Sequence, residues 1–296
     1  MALFLKIFTF VLPQGKMSCY RMVKNYHLYM KKRILIVAKT YPCPSTKYGE
    51  LVCTAGIDET GKWHRLYPIP FRNLTKAHRY KKYQWVEVEL EKDSSDPRVE
   101  SCKIIGEINP LEIIDTRKDW YLRKKLLLHD IYTSKTQLIY DCRKSDKQTS
   151  LGILKPTRII SFHIETAKHK EAESQTYKLP FKFYYKFEDT EGKISRLQII
   201  DWEIGELTRK LLTHYGDNFK LIKDILRHKY FTAMQKRDVY LFLGTSREWH
   251  IRKSPNPFMI IGIFYPPLEN NLTNLQIENK SFTNISKMNL LESYAV

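Results

Sequence analysis

The 296-residue chain holds only 11 glycines, too few for a Gly-rich repeat or collagen-like architecture. Its five cysteines, Cys19, Cys43, Cys53, Cys102 and Cys142, are odd in number and widely spaced. They form no CxxC pair, which excludes a zinc ribbon and a secreted disulfide scaffold. Such thiols fit a reducing, cytoplasmic compartment. No run of roughly eighteen apolar residues is present, so no membrane-spanning helix is expected. Walker A, HExxH and GxSxG patterns are absent, and no two histidines stand at i, i+4. The sequence therefore leans away from an enzyme, and no cofactor is expected.

Acids are the other shortage. Asp and Glu number 32 against 50 Lys and Arg, a net charge of +18 and a pI near 9.5. That balance favours a polyanionic partner, nucleic acid first and an anionic membrane surface second. The plain alternative is a Lys-biased composition with no partner. What is abundant is apolar and aromatic: 43% hydrophobic residues and 13% aromatics, with 19 Tyr and 14 Phe. The length suffices for one large or two ordinary globular domains.

The first 13 residues, "MALFLKIFTFVLP", are apolar but lack the basic leader and cleavage site of a signal peptide. Met30 in "MKKRILIV" stands directly before a strand pattern, so residues 1–29 are expected to be an extension outside the fold. Strands are expected at 33–41, 49–57, 63–69, 84–93 and 96–108 from β-branched runs and period-two alternation. An amphipathic helix is expected over 115–134, with Trp120, Leu127 and Ile131 on one face. The polar break "KSDKQTS" (144–150) separates this first domain, 30–143, from a second, 151–267. The second begins with β-pattern at 152–166 and a hairpin over 179–189 and 192–204. Two helices follow at 203–216 and 217–234, then strands at 238–245 and 257–267. From Leu268 the Asn/Ser/Thr-rich tail is expected to be poorly ordered. The resulting fold class is mainly β with α insertions (α+β): two OB-like small barrels, the second with a helical insert.

Four clusters could carry chemistry. The hairpin region interleaves cations and rings at Lys39, Tyr41, Lys47, Tyr48, Trp63, Arg65, Tyr67 and Arg72. Cations hold a phosphate backbone and aromatic faces stack bases, so this pattern suits a single strand or RNA. Arg65 and Tyr67 share a strand face by period two. The bland reading is a solvated face over ordinary packing. A second cationic cluster comprises Arg227, Lys229, Arg247, His250 and Arg252. In "DPRVES", Asp96, Arg98 and Glu100 would form a charged row along a strand, either an ion-pair stripe or metal ligands. Asp201 and Glu203 lie at a strand-to-helix junction, where carboxylates hold Mg²⁺ in nucleases; Asp201 equally suits an N-cap. Two alternatives to nucleic-acid binding follow: a metal-dependent nuclease using Asp96, Glu100, Asp201 and Glu203, and a pocket for a nucleotide-like small molecule.

The segments "KTYP", "VCTAG", "RLYPIPFR", "YKKYQWVEVELEK", "DWE", "KYF" and "PFMIIGIFYPP" together resemble an uncharacterised prokaryotic family. That family is described as a dual OB-containing domain and is linked to defence systems. The resemblance implies two OB-like units over about residues 32–267. It further implies a nucleic-acid-facing role as sensor or adaptor, with a protein partner from a neighbouring gene. It carries over no catalytic residue.

Overall fold

Strand β1 (Lys31–Lys39) explains its own unbroken apolar run. Successive side chains of a strand point to opposite faces, and both faces are covered. Ile34 and Ile36 join a core with Leu66, Val86 and Val88. Leu35 and Val37 enter another with Phe242 and Phe264. A strand buried on both faces needs apolar residues at every position. In this computed structural model the described residues are 31–45, 49–144, 146–167 and 179–268; the expected extension and nearly all of the expected tail lie outside them.

The first half adds β2 (Cys43–Ser45), β3 (Gly49–Asp58), β4 (Trp63–Ile69), β5 (Gln84–Lys92) and β6 (Ser101–Ile113). β1 pairs antiparallel with both β3 and β5. β3 pairs with β4 and β5 with β6. β4 runs parallel to β6 through Arg65↔Ser101 and Leu66↔Cys102. Each of these five strands thus has two neighbours, and the pairings return to β1. β2 lies beside β3. The β3–β4 turn forms as its acids and glycine suggest: Asp58 accepts from the Thr60 and Lys62 N–H groups, and Gly61 takes φ +84°.

The second half contains α1 (Arg117–Leu127), β7 (Ile131–Tyr132), α2 (Lys135–Arg143), β8 (Leu151–Leu154), β9 (Arg158–Thr166), β10 (Phe181–Glu188) and β11 (Ile194–Ile199). Then come α3 (Trp202–Tyr215), α4 (Phe219–Arg227), β12 (Tyr240–Thr245), α5 (Arg247–Ile251) and β13 (Phe258–Phe264). Its sheet runs β7-β8-β12-β13-β11-β10-β9. Among the described residues these pairings form a row with two ends, not a second ring. α3 and α4 cover one face of this sheet through Leu207, Leu211, Ile222 and Leu226. The other face meets the first sheet around Phe242 and Phe264.

Two expected elements take another form. Residues 96–100 are turn rather than strand, so Asp96, Arg98 and Glu100 make no row; β6 begins at Ser101. The 115–134 helix ends at Leu127, and Ile131 belongs to β7. Its first turn is left-handed, with φ of 50°, 54° and 64° at Lys118, Asp119 and Trp120. Trp120 packs there against Phe264 and Tyr265, with ring centroids 5.5 and 5.6 Å away. A regular amphipathic stripe is given up for that contact. No helix among the described residues is long and apolar enough to cross a membrane.

Candidate functional site

The loop between β4 and β5 begins with a single 3₁₀ turn at Phe71–Asn73 and reads "FRNLTKAHRYKKY" over 71–83. It interleaves cations and rings as densely as the hairpin does. It walls a cleft of about 890 Å³, together with the start of α3, the end of β13 and the first turns of α1. Ten Lys or Arg residues, seven aromatic residues and three carboxylates line this cleft.

Its floor is built where β11 hands over to α3. Asp201 N-caps α3: Oδ1 accepts from the Glu203 N–H at 2.6 Å, and Oδ2 accepts from the Ile263 N–H at 3.2 Å. Lys82 reaches in from the loop, 3.1 Å from Glu203 and 3.7 Å from Asp201, and donates to the Ile263 carbonyl at 2.9 Å. Burial opposes the charge on Lys82, but Glu203, then Tyr83 and Asp201, outweigh it, so its ammonium titrates well above the usual lysine range. Burial also opposes the Glu203 charge, yet Lys82 holds that carboxyl down at about 2. Asp201 moves the other way, pushed up by burial and the Glu203 charge.

Lys39, at the end of β1, is the second buried amine. It donates to the Tyr80 carbonyl at 3.3 Å and lies 4.0, 4.9 and 5.4 Å from the ring centroids of Phe71, Trp202 and Tyr80. Burial pulls its pKa down to about 8, with Glu203 and Asp201 restoring part of the loss. Beside it, Arg72 pairs with Glu50 at 2.7 Å and with Glu206, which also holds Arg209. Its guanidinium lies 5.3 Å from the Trp202 ring centroid. Arg123 covers Tyr83 and Trp120 at 4.1 and 5.1 Å.

Gly205, in the first turn of α3, lets this corner close. A Cβ there would stand 1.9 Å from the Tyr41 ring. Gly-to-Ala in an exposed helix interior normally gains stability. Here Gly205→Ala is expected to lose about 1–3 kcal/mol, the usual cost of overpacking, read as a lower urea midpoint. An unchanged or raised midpoint would show that Tyr41 yields freely.

The sequence-selected residues divide. Lys39, Arg72 and Lys229 line the cleft. Tyr41 packs beside it, with its ring centroid 6.2 Å from Trp202. Arg65 does not share an open surface with Tyr67. It is 2% exposed, while Tyr67 is 39% exposed, and the Arg65 guanidinium donates to the Ser150 carbonyl and hydroxyl at 3.0 and 2.9 Å. The parallel neighbour β6 and the second sheet cover that side of β4, which alternation along β4 alone does not reveal. Trp63 packs edge-on to Phe242 at 6.3 Å. Lys47 and Tyr48 lie outside the described residues.

Nor does the second cationic cluster converge. Arg227 pairs with Asp224 and Arg252 with Glu248 on their own helices. Arg247 donates to the Ser95 carbonyl at 3.0 Å. The His250 ring stands 3.7 Å from the Cys142 sulfur. The four nuclease carboxylates likewise fall in two separate places, Asp201 and Glu203 together beside Lys82 and Asp96 and Glu100 in the loop before β6. Asp96 binds Arg98, which donates to the Thr245 carbonyl, and Glu100 accepts from Ser150. Asp201 is tied to Ile263, which lies five residues along β13 from the partner of Thr245, about 16 Å at the rise of a strand. Among the described residues no three His, Cys, Asp or Glu are grouped to hold a metal ion.

Phe71, Tyr80, Lys82, Tyr83, Arg123 and Trp202 also line the cleft, beyond the residues expected from sequence. The signal for the first four was present in the cation-ring interleaving of the 71–83 loop.

Residues 30–129 match the family model of a domain of unknown function, DUF8758, and residues 167–286 match a second, DUF8757. The two fall one in each half of the chain. No curated protein matches. Among solved structures, a murine DNA-binding protein bound to double-stranded DNA matches over 79% of this chain and 93% of its own. The identity is 9% and the TM-score 0.29, a likeness too slight to carry any inference.

Proposed function

We propose that this protein binds single-stranded nucleic acid in the cleft and acts as a sensor or adaptor. The observation that carries the reading is that ten Lys or Arg line one concavity together with Trp120, Trp202 and Tyr265, the three of its seven lining rings that are not buried. A solvated surface needs charge without rings, and a core needs rings without charge. A single strand offers both phosphates and open base faces, whereas a duplex hides the faces. We also read the ring of five strand pairings as an OB-like barrel. Its ligand then lies against the loop after β4 and against α3, contributed by the second half.

A nucleotide-like small molecule in the same cleft is the second reading, favoured by the depth at which Lys82, Asp201 and Glu203 stand. Fluorescence anisotropy across a salt series tests both. Lys76 and Lys81 are exposed at the rim. Replacing both with Ala should weaken binding to all single strands alike and flatten the salt slope by about 1.4, two phosphate contacts' worth. If the wild type binds neither single strands nor duplexes at near-physiological salt, nucleic-acid binding fails. Saturable binding of mononucleotides alone would establish the second reading.

A further inference from the structure

The cleft is not uniformly cationic, and its acids are not equivalent. Glu206 is engaged by Arg72 and Arg209. Asp201 caps α3, accepts the Ile263 N–H and is sealed, with 3% of its side chain exposed. Glu203 is the carboxylate that meets the cleft. About a third of its side chain (32%) is exposed, while Lys82 beside it is 11% exposed. An entering ligand therefore meets positive charge at the rim, from Lys76, Arg79 and Lys81, and the Lys82–Glu203 ion pair at the floor. Beside that pair Glu203 offers an acceptor and no donor, so it can hold a hydroxyl or an amine but gives a phosphate no hydrogen bond.

We infer that Glu203 accepts a ribose 2′-hydroxyl and that the cleft selects RNA over DNA, an inference that rests on the nucleic-acid reading above. The bland role for Glu203 is to pair with Lys82. That pairing takes Oε2 and leaves about a third of the Glu203 side chain on the cleft wall. Among the donors on a strand, base amines change with sequence and lie on base edges, while the rings of the cleft take base faces. The 2′-hydroxyl recurs on every ribonucleotide, beside the phosphates held at the rim, and is the group that separates RNA from DNA. Carboxylates are established acceptors for ribose hydroxyls, and a hydroxyl-to-carboxylate bond is charge-assisted and strong. Lys82 keeps Glu203 ionised, so it accepts at neutral pH.

The test titrates the full chain with one sequence made as RNA, DNA and 2′-O-methyl RNA. RNA is expected to bind at least about tenfold more tightly than either analogue, because an acceptor left without its donor costs about that much. Glu203→Gln should bring RNA and DNA toward parity, chiefly by weakening RNA. A thermal melt checks that the variant folds; if it does not, the three-oligonucleotide comparison on the wild type still decides. Equal wild-type affinity for RNA and DNA overturns the inference and leaves nucleic-acid binding standing. So does a preference that follows base identity and ignores the 2′ position, which would assign Glu203 to a base amine. Binding to none of the three overturns both.

Discussion

Lys39→Met is expected to leave the fold at least as stable at pH 7 and to flatten its stability between pH 8 and 10.5. The amine is 7% exposed, and its pKa falls from 10.5 to about 8, chiefly through burial. Below pH 8 it is charged in both folded and unfolded chains, so the cost of burying the charge is fully present. Between pH 8 and 10.5 the folded amine loses its proton while the unfolded one keeps it. The unfolded state then binds more protons, and stability rises with pH. The shift corresponds to roughly 3 kcal/mol, from which the three rings around the ammonium return up to about 2 kcal/mol as cation–π attraction. Methionine fills similar space with no charge to bury. Urea denaturation at pH 7 and pH 9.5 reads the outcome. A variant clearly less stable than wild type at pH 7 would mean that the rings more than offset the burial of the charge.

Arg65→Ala is expected to cost about 3 kcal/mol or more of stability, the usual result of removing one member of a buried charged network. Arg65 holds the Ser150 carbonyl and hydroxyl. The same hydroxyl and the Ser150 N–H donate to the two Glu100 oxygens, each at 2.7 Å. Removing the guanidinium leaves Ser150, which holds both oxygens of the buried Glu100, without its two bonds from Arg65. It also opens a hole between the two sheets. The expectation from sequence was a phosphate contact, whose loss would flatten the salt slope and spare the fold. Measuring the urea midpoint and the salt slope on one preparation separates the two. An unchanged midpoint with a flatter slope would return Arg65 to a binding surface.

Local signals carried the strands. Trp63–Ile69 forms β4 over the residues its β-branched and aromatic pattern marks, and Asp201 caps α3 as its position before Glu203 suggests. Gly216 closes α3 with φ +56°, as an unstrained glycine can. What local pattern could not supply was the long-range partner. Arg65 looked like a surface cation because alternation says which residues share a face, not what covers that face. Asp96 and Arg98 sit two apart, which fits a strand face or a tight turn equally well. Their pairing within a turn, with Arg98 reaching Thr245, depends on a strand about 150 residues away. The cleft was half legible for the same reason. Lys39 and Arg72 stand out through their neighbours in sequence. Trp202, which gives both of them a ring to lie against, comes from the other half of the chain.

The double burial of β1 also fixes where the protein's most persistent amide protons reside. Ile34 to Ala38 are each no more than 1% exposed; the strand pairs with β5 over Lys31–Leu35 and with β3 over Ile34–Lys39, with a bulge at Val37. Ile34 and Leu35 are the two residues of this run laddered on both sides. Their hydrogen exchange must therefore wait for the opening of both cores at once. In a deuterium-uptake experiment this strand reports the global unfolding free energy directly, and any ligand that binds the folded cleft will slow it by the full binding linkage.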